Sequence, residues 1–223
     1  MNGFLQEVLT QGELMKKVAS FYRGEGRTLI SEIGDAFRKS HMDRVILTGM
    51  GSSLYSMDCI LSYLTQHGIP ALSFSAFELS RFQFQHITPK TLVIAISQSG
   101  NSPEAMELIE KAKKVTKIVG VFNNEGCKLQ AAADYKLPIC AGKELSITSM
   151  TFEMTMLILN ILGRELTGEL DDAFWAQVEA TAQWCCQWTA NWEAPSKAMF
   201  DFAQGIELFD LLANNTSLAT ARQ

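Results

Sequence analysis

Two short loops combine glycine with hydroxyl side chains in a pattern that suits anion binding. The first is Thr48–Ser53, with the sequence TGMGSS, and the second is Ser97–Ser102, with the sequence SQSGNS. Glycine lets a ligand approach the backbone closely, and unpaired N–H groups at the start of a helix attract negative charge. Serine hydroxyls add donors without adding bulk. Both loops are therefore predicted to bind an anion such as a phosphate group.

The first loop lacks the features of the common nucleotide-binding loops. A Rossmann dinucleotide site needs a third glycine where Leu54 stands, and an acidic residue at the end of the next strand. That strand reads Ala71–Ser75 and has no acidic residue. A Walker loop needs Gly-Lys followed by Ser or Thr, which the sequence does not contain. Both nucleotide interpretations are disfavoured.

The second loop admits two interpretations. Ser102 is placed to cap a helix, Pro103 suits the first helical position, and Gly100 frees the turn, so the segment could be a plain strand-to-helix turn. Three serines and a glutamine exceed what a turn needs. The composition favours ligand binding.

A third segment, Gly142–Ser149, has the sequence GKELSITS and precedes another predicted helix. It could close the same crevice, or it could simply supply a Ser/Thr cap to that helix, and the residues leave this choice open. Lys143 could attract phosphate, although a lone lysine in a loop is more often just solvated.

Alternating β-rich and helical runs predict the framework that holds these loops. Helical periodicity extends from Gln11 to His41, interrupted by glycines, before the first strand. The predicted strands are Arg44–Thr48, Ala71–Ser75, Leu92–Ile96, Lys117–Phe122 and Tyr135–Ile139. The predicted intervening helices are Leu54–His67, Phe77–Phe82, Pro103–Lys114 and Lys128–Ala133. The pattern predicts an α/β, doubly wound, flavodoxin-like fold, with a five-stranded parallel sheet covered by helices on both faces and preceded by N-terminal helices.

In a sheet of order 2-1-3-4-5, strands one and three are neighbours and the winding direction reverses between them. The two candidate loops follow these strands. They are therefore predicted to share the crevice where open α/β sheets bind ligands.

After the sheet, the sequence predicts helices at Ser149–Leu162 and Asp171–Trp192. Trp184, Trp188 and Trp192 lie four apart on one face of the second helix, which predicts packing against the sheet or a partner subunit rather than a ligand role. Pro195 is expected to break the chain. A new strand is predicted at Ile206–Ala213, followed by a loop and a helix that reaches Gln223.

Composition excludes several classes of protein. The chain has 223 residues, 47% of them hydrophobic, which suits a sizeable core, and no apolar run is long enough to span a bilayer. A net charge of −5 and a pI of about 5.3 give no basic field for nucleic acid. The start of the chain does not read as a secretion signal, so a cytoplasmic location without membrane contact is expected.

The sequence signals no metal site or cofactor. Its five cysteines include no Cys-x-x-Cys spacing and are expected to be reduced thiols. His41, His67 and His86 fall at predicted helix ends or loops without a partnered acid, so they are interpreted as surface residues.

The three loops together resemble the sugar isomerase (SIS) family. The matching blocks are Gly49–Ser53, the Ser-Gln-Ser-Gly-x-Ser block at Ser97–Ser102, and the Glu-x-x-x-x-Ser block at Glu144–Ser149, spread over about 120 residues. Phe77–Leu79 is similar to the family's Ser-Glu-Phe segment. The chain is most similar to the isomerase half of glucosamine-6-phosphate synthase, to fructosamine-phosphate deglycases and to related phosphosugar isomerases.

The resemblance implies a set of sugar-phosphate-binding residues, with the hydroxyls of Ser99 and Ser102 on the phosphate and Ser146–Ser149 on the sugar side. The implied binding residues are Gly51, Ser52, Ser53, Ser97, Gln98, Ser99, Gly100, Ser102, Ser146 and Ser149. Family members often carry Ser-Thr-Lys after the Glu block, whereas this chain has Ser149-Met150-Thr151.

The resemblance also implies a domain organisation of N-terminal helices at 1–42, a first SIS domain at 43–200, and the beginning of a second, truncated SIS domain at 201–223. In the family the catalytic lysine, glutamate and histidine belong to the second module. The catalytic residues are thus expected outside this chain, and the chain by itself is expected to be inactive.

Three functions remain open at this stage. The first is an isomerase or deglycase acting on a ketose or fructosamine 6-phosphate, with no cofactor. The second is a non-catalytic phosphosugar sensor, although the N-terminal basic residues are balanced by acids and show no recognition helix. The third is a structural dimerisation module. A homodimer is expected in each case, because the C-terminal helices carry large apolar residues.

Overall fold

The computed structural model describes residues 3–144 and 147–223. Two helices come first, α1 (Gly3–Arg23) and α2 (Arg27–Lys39). Strands and helices then alternate: β1 (Arg44–Gly49), α3 (Ser52–Tyr55), α4 (Asp58–Gln66), β2 (Ala71–Ser75), α5 (Ala76–Arg81), β3 (Thr91–Ile96), α6 (Pro103–Ala112), β4 (Ile118–Phe122), α7 (Lys128–Ala132) and β5 (Tyr135–Pro138). Four helices follow: α8 (Met150–Thr167), α9 (Asp172–Ala190), α10 (Glu193–Ala203) and α11 (Leu218–Arg222).

The five strands form one parallel sheet in the order β2-β1-β3-β4-β5, which confirms the predicted fold class. Every residue of β3 and of β4 is buried. Both faces of these central strands therefore need apolar cover, which explains their continuous runs of Val and Ile.

Helices supply that cover in two layers. On one face, residues of α1, α2, α4, α8 and α9 build the larger core cluster. On the other face, α5, α6 and α7 build the smaller one. Helix α9 packs along α1, where Gly12 allows the backbones to approach closely because a Cβ there would collide with Ala182 and Cys186.

An ion-pair cluster fastens α2 to α8. The Glu165 carboxylate accepts hydrogen bonds from Arg27 Nη2 at 2.8 Å and from Arg38 Nη2 at 3.1 Å, and Arg38 Nη1 donates to the Glu165 carbonyl at 3.1 Å. The Glu165 side chain is only 8% exposed, whereas both arginines are partly solvated. The cluster therefore neutralises a buried charge at the interface of the two helices.

The observed boundaries of several helices differ from the predicted ones. The predicted helix Leu54–His67 is two helices, α3 and α4, separated at Ser56 and Met57. Helix α8 continues past Leu162 to Thr167 and ends at Gly168, whose φ of +81° suits a left-handed C-cap. Pro195 does not break the chain: it lies in the first turn of α10, where its missing N–H leaves no helical bond unmade.

The predicted strand Ile206–Ala213 is wrong, because these residues have irregular backbone. A strand needs a neighbour to satisfy its N–H and C=O groups, and this segment joins none of the described strands. The helix predicted to reach Gln223 is present as α11, which packs against α3 and α4.

The tryptophan stripe does not pack against the sheet. Trp184 and Trp188 are 63% and 45% exposed, because α9 turns Trp175, Val178 and Ala182 toward α1 instead. Among the described residues, no helix has the length and apolar content needed to cross a membrane.

Candidate functional site

The pairing of β1 with β3 brings the two glycine- and serine-rich loops side by side. Thr48 lies opposite Ala95 in the sheet, so the chain leaves both strands at the same edge. A small pocket opens there between the loops and the start of α8. Its lining residues are Ser52, Ser53, Ser56, Gln98, Thr148, Thr151, Phe152 and Thr155. Hydroxyl groups thus dominate the pocket wall.

Glycines give the first loop its shape. A Cβ on Gly49 would lie 2.9 Å from the carbonyl oxygen of Ile96, so only glycine lets the two strand ends approach this closely. Gly51 has a φ of +53°, a conformation that glycine adopts far more readily than other residues. No atom lies near the place where its Cβ would be, so the backbone conformation alone favours glycine here. Ser52 and Ser53 then begin α3, while Ser56 is buried and donates its hydroxyl hydrogen bond to the Ser53 carbonyl at 2.9 Å.

The second loop is organised around a pair of serine hydroxyls. The Oγ atoms of Ser97 and Ser102 are 3.0 Å apart, and the Gly100 N–H donates to Ser97 Oγ at 3.1 Å. Ser99 Oγ accepts a hydrogen bond from the Asn101 N–H at 3.3 Å. The loop is therefore held in one compact conformation that presents Gln98 to the pocket.

Ser102 stands at the N-cap of α6, as predicted, but its side chain caps nothing. The hydroxyl turns to Ser97 instead, so the first N–H groups of α6 receive no side-chain acceptor from the residues that the structure describes. The disfavoured alternative, in which Ser102 is only an ordinary helix cap, does not match this geometry. An N-terminus left open in this way suits an anionic ligand better than a plain turn.

Glu144 ties the third segment to the second loop. Its carboxylate accepts hydrogen bonds from the Ser149 N–H at 2.6 Å, from the Thr151 N–H at 3.2 Å and hydroxyl at 2.6 Å, and from Gln98 Nε2 at 3.3 Å. The segment thus closes one side of the crevice. Ser146 lies outside the described residues.

Two hydroxyls at this edge are buried with no hydrogen-bond partner among the described residues. They belong to Thr48, at the end of β1, and to Ser149, at the start of α8. A buried hydroxyl without a partner costs free energy, so its presence at a strand end marks a place where another group is accommodated.

Several residues of the pocket were not among the predicted site residues. Thr151 and Thr155 lie one turn apart on α8, and Thr155 Oγ1 donates to the Thr151 carbonyl at 2.6 Å. Ser56 lies one turn after Ser52. Ser56 lies four residues after the predicted Ser52, and Thr155 lies four residues after Thr151, so helical spacing indicates each of them from the earlier hydroxyl. Thr151 itself is not at helical spacing from a predicted site residue.

The Glu144 carboxylate at the crevice is engaged by hydrogen bonds from Gln98, Ser149 and Thr151. Among the described residues, the lining of the small pocket itself includes no histidine, lysine or carboxylate. His67 instead contacts Glu169 at 3.2 Å, and His86 stacks on Phe74. Lys143 is exposed and lines a neighbouring cavity of about 550 Å³ that Gln98 also borders. Within the described part of the chain, no cluster of side chains could hold a metal ion.

A model of the SIS domain matches residues 37–162, which is more than half of the chain. This chain therefore belongs to the SIS domain family, and the resemblance drawn from its loops is confirmed. The matched region contains β1 to β5 and most of α8, so it includes the whole crevice.

Related proteins agree with this assignment. A glutamine–fructose-6-phosphate aminotransferase from Pyrococcus horikoshii is 33% identical over 144 residues, which cover 62% of this chain and 24% of the relative. The chain thus spans about a quarter of the length of that curated relative.

Solved structures show the same fold. Tagatose-6-phosphate ketose/aldose isomerase from Escherichia coli is 17% identical, with a TM-score of 0.68 over 97% of this chain and 61% of that one. The C-terminal domain of glucosamine-fructose-6-phosphate aminotransferase from Francisella tularensis is 18% identical, with a TM-score of 0.68 over 92% of this chain and 58% of that one.

Proposed function

We propose that this chain binds the phosphate of a hexose 6-phosphate, or of an amino-sugar or fructosamine 6-phosphate, in the crevice between β1 and β3. The observation that carries the proposal is the open N-terminus of α6, where Ser102 bonds to Ser97 rather than to the helix. Its N–H groups and the hydroxyls of Ser97, Ser99 and Ser102 then hold the phosphate. Ser52, Ser53 and Gln98 line the adjoining pocket.

The sugar extends from the phosphate toward α8. Ser149, Thr151 and Thr155 offer hydroxyls on that side, and the Ser149 hydroxyl has no partner of its own among the described residues. The phosphate group lies away from the reacting carbons of the sugar. Binding it holds those carbons in place, so less entropy is lost in the chemical step.

The reaction we propose for the whole protein is isomerisation or deglycation of the open-chain sugar. A base removes the proton next to the carbonyl or imine, and an enediol or enamine intermediate collapses to the product. The pocket lining supplies no such base, so we propose that the acid and base groups come from a second SIS module. The activities of the similar aminotransferase and of the ketose/aldose isomerase with the same fold support this reaction class.

The lack of a base in the pocket lining also favours a second candidate, a phosphosugar sensor. A sensor would bind the same ligands without exchanging the proton at C1 or C2. Incubating the whole protein with fructose 6-phosphate in deuterated water distinguishes the two functions, because only the enzyme incorporates deuterium.

Binding itself is tested by calorimetric titration of the 223-residue chain with fructose 6-phosphate, with unphosphorylated fructose as the control ligand. Ser99→Ala should weaken binding about fivefold to tenfold, because one hydrogen bond to a charged group is lost. Ser40→Ala, at an exposed position beyond α2, is the matched control and should bind like the wild type. Absence of phosphate-dependent heat from the folded wild-type chain would refute the proposal.

We also propose that the chain forms a homodimer through its C-terminal helices. Helix α10 has no buried residue, and its Met199, Phe200 and Phe202 are each more than 60% exposed. Exposed side chains of this size mark an interaction surface. Sedimentation should show a dimer that Phe200→Ser weakens, and a wild-type monomer at high concentration would contradict the proposal.

A further inference from the structure

The Glu144 carboxylate occupies the N-terminus of the longest helix beside the crevice. Its bonds to the N–H groups of Ser149 and Thr151 cap α8, which is 18 residues long. A second anion is therefore excluded from that helix end. The phosphate must lie at the β1 and β3 loops, and α8 faces the uncharged part of the ligand.

Glu144 also fixes the orientation of the Gln98 side-chain amide. An ionised carboxylate only accepts hydrogen bonds, so the amide atom that faces Glu144 must be the NH₂ group. The carbonyl oxygen of the same amide then points away from Glu144 within the amide plane. No donor to that oxygen is found among the described residues, and Gln98 lines the hydroxyl-rich pocket.

We propose that Glu144 is a positioning residue, which holds Gln98 so that its carbonyl oxygen accepts a hydrogen bond from a ligand hydroxyl next to the phosphate. An amide carbonyl repels a phosphate oxygen but accepts from a hydroxyl. The pair therefore favours a phosphate ester whose sugar hydroxyl reaches this oxygen over inorganic phosphate, which has no hydroxyl beyond the phosphate group itself. This inference rests on the phosphate-binding function proposed above and adds a basis for its specificity.

Glu144→Gln tests this role, because glutamine keeps the shape and its carbonyl oxygen stays with the N–H groups of Ser149 and Thr151, so that its NH₂ group faces Gln98. Gln98 must then turn its carbonyl oxygen toward position 144 and its own NH₂ group toward the pocket. We expect affinity for fructose 6-phosphate to fall about tenfold. Affinity for inorganic phosphate should stay within about twofold or improve, because the substitution removes a negative charge. Glu125→Gln, at an exposed position bordering the neighbouring cavity, makes the same charge change and should alter neither affinity by more than about twofold.

A double-mutant cycle distinguishes positioning from general support of α8. On a Gln98→Ala background, Glu144→Gln should cause no further loss of fructose 6-phosphate affinity, since the residue through which it acts is gone. Additive losses, or equal losses for both ligands, would overturn the inference. So would an unchanged fructose 6-phosphate affinity in the folded Glu144→Gln variant.

A measurement without ligand separates this inference from the binding proposal. The side-chain NH₂ resonances of Gln98 should move in Glu144→Gln and stay in place in Glu125→Gln. If the wild type binds neither fructose 6-phosphate nor inorganic phosphate, the proposed function fails, and the specificity role fails with it. If the wild type binds but the Gln98 resonances do not move, only the positioning role of Glu144 is refuted.

Discussion

In the Ser97–Ser102 loop, Gly100 is the position where we expect a single added methyl group to be most destabilising. Its φ is +67°, a region that costs an L-residue about 1 to 2 kcal/mol. A Cβ at this position would also overlap the Sγ and Cβ atoms of Cys127, which is buried at the start of α7. Overpacking of this kind costs about 1 to 3 kcal/mol more. Gly100→Ala should therefore lower the free energy of unfolding by about 2 to 5 kcal/mol.

Gly126 provides the matched control, because its φ is +72° and no atom lies near the place of its Cβ. Gly126→Ala should cost only the backbone term, about 1 to 2 kcal/mol. Urea unfolding followed by circular dichroism gives both values, and titration with fructose 6-phosphate should show a loss of affinity in Gly100→Ala alone. Equal destabilisation by the two substitutions would refute the steric argument.

Three further predictions concern charged groups. Glu165→Gln should lower the free energy of unfolding by about 1 to 2 kcal/mol, less than for a fully buried pair because both arginine partners are partly solvated; an unchanged urea midpoint would contradict this. Burial raises the pKa of Glu153 from 4.5 to about 7, so the folded state keeps a proton that the unfolded state releases, and stability from this group falls as pH rises between those values. The free energy of unfolding of Glu153→Gln should therefore rise by about 1 to 3 kcal/mol relative to that of the wild type between about pH 5 and about pH 8. Urea unfolding at the two pH values measures this change, and a difference between variant and wild type that does not depend on pH would refute the prediction. Arg222→Ala should speed amide hydrogen exchange in α11 by about fivefold, because Arg222 Nη1 donates to the buried Asp58 carboxylate at 2.9 Å; unchanged exchange would show that apolar packing alone holds this helix.

The sheet could be predicted closely from the sequence. Parallel strands buried on both faces are short apolar runs bounded by turn residues, so Ala71–Ser75 matches the observed strand and the others differ by a residue at an end. Strand order then followed from the winding rule for doubly wound sheets, and that order placed the two loops together.

The remaining features depend on contacts between residues distant in sequence. The hydrogen bond between Glu144 and Gln98 joins residues 46 positions apart in the sequence, and no local pattern indicates it. The hydroxyl of Ser102 could bond either to a backbone N–H group in the first turn of α6 or to the hydroxyl of Ser97. In the folded protein it bonds to Ser97, which a local pattern does not reveal. At Ile206–Ala213 the local preference for a strand was real, but the segment has no neighbouring strand to pair with.

Both ends of the segment 191–214 are anchored to the folded core. Helix α9 packs on α1 before it, and α11 packs on α3 and α4 after it. The exposed side chains of Phe200, Phe202 and Leu212 are therefore kept close to the core from both sides. A tether of this kind raises the effective concentration of its binding surface close to the core. A partner that covers this segment and also contacts the exposed Trp184 and Trp188 on α9 would gain avidity, because the second contact forms within one complex.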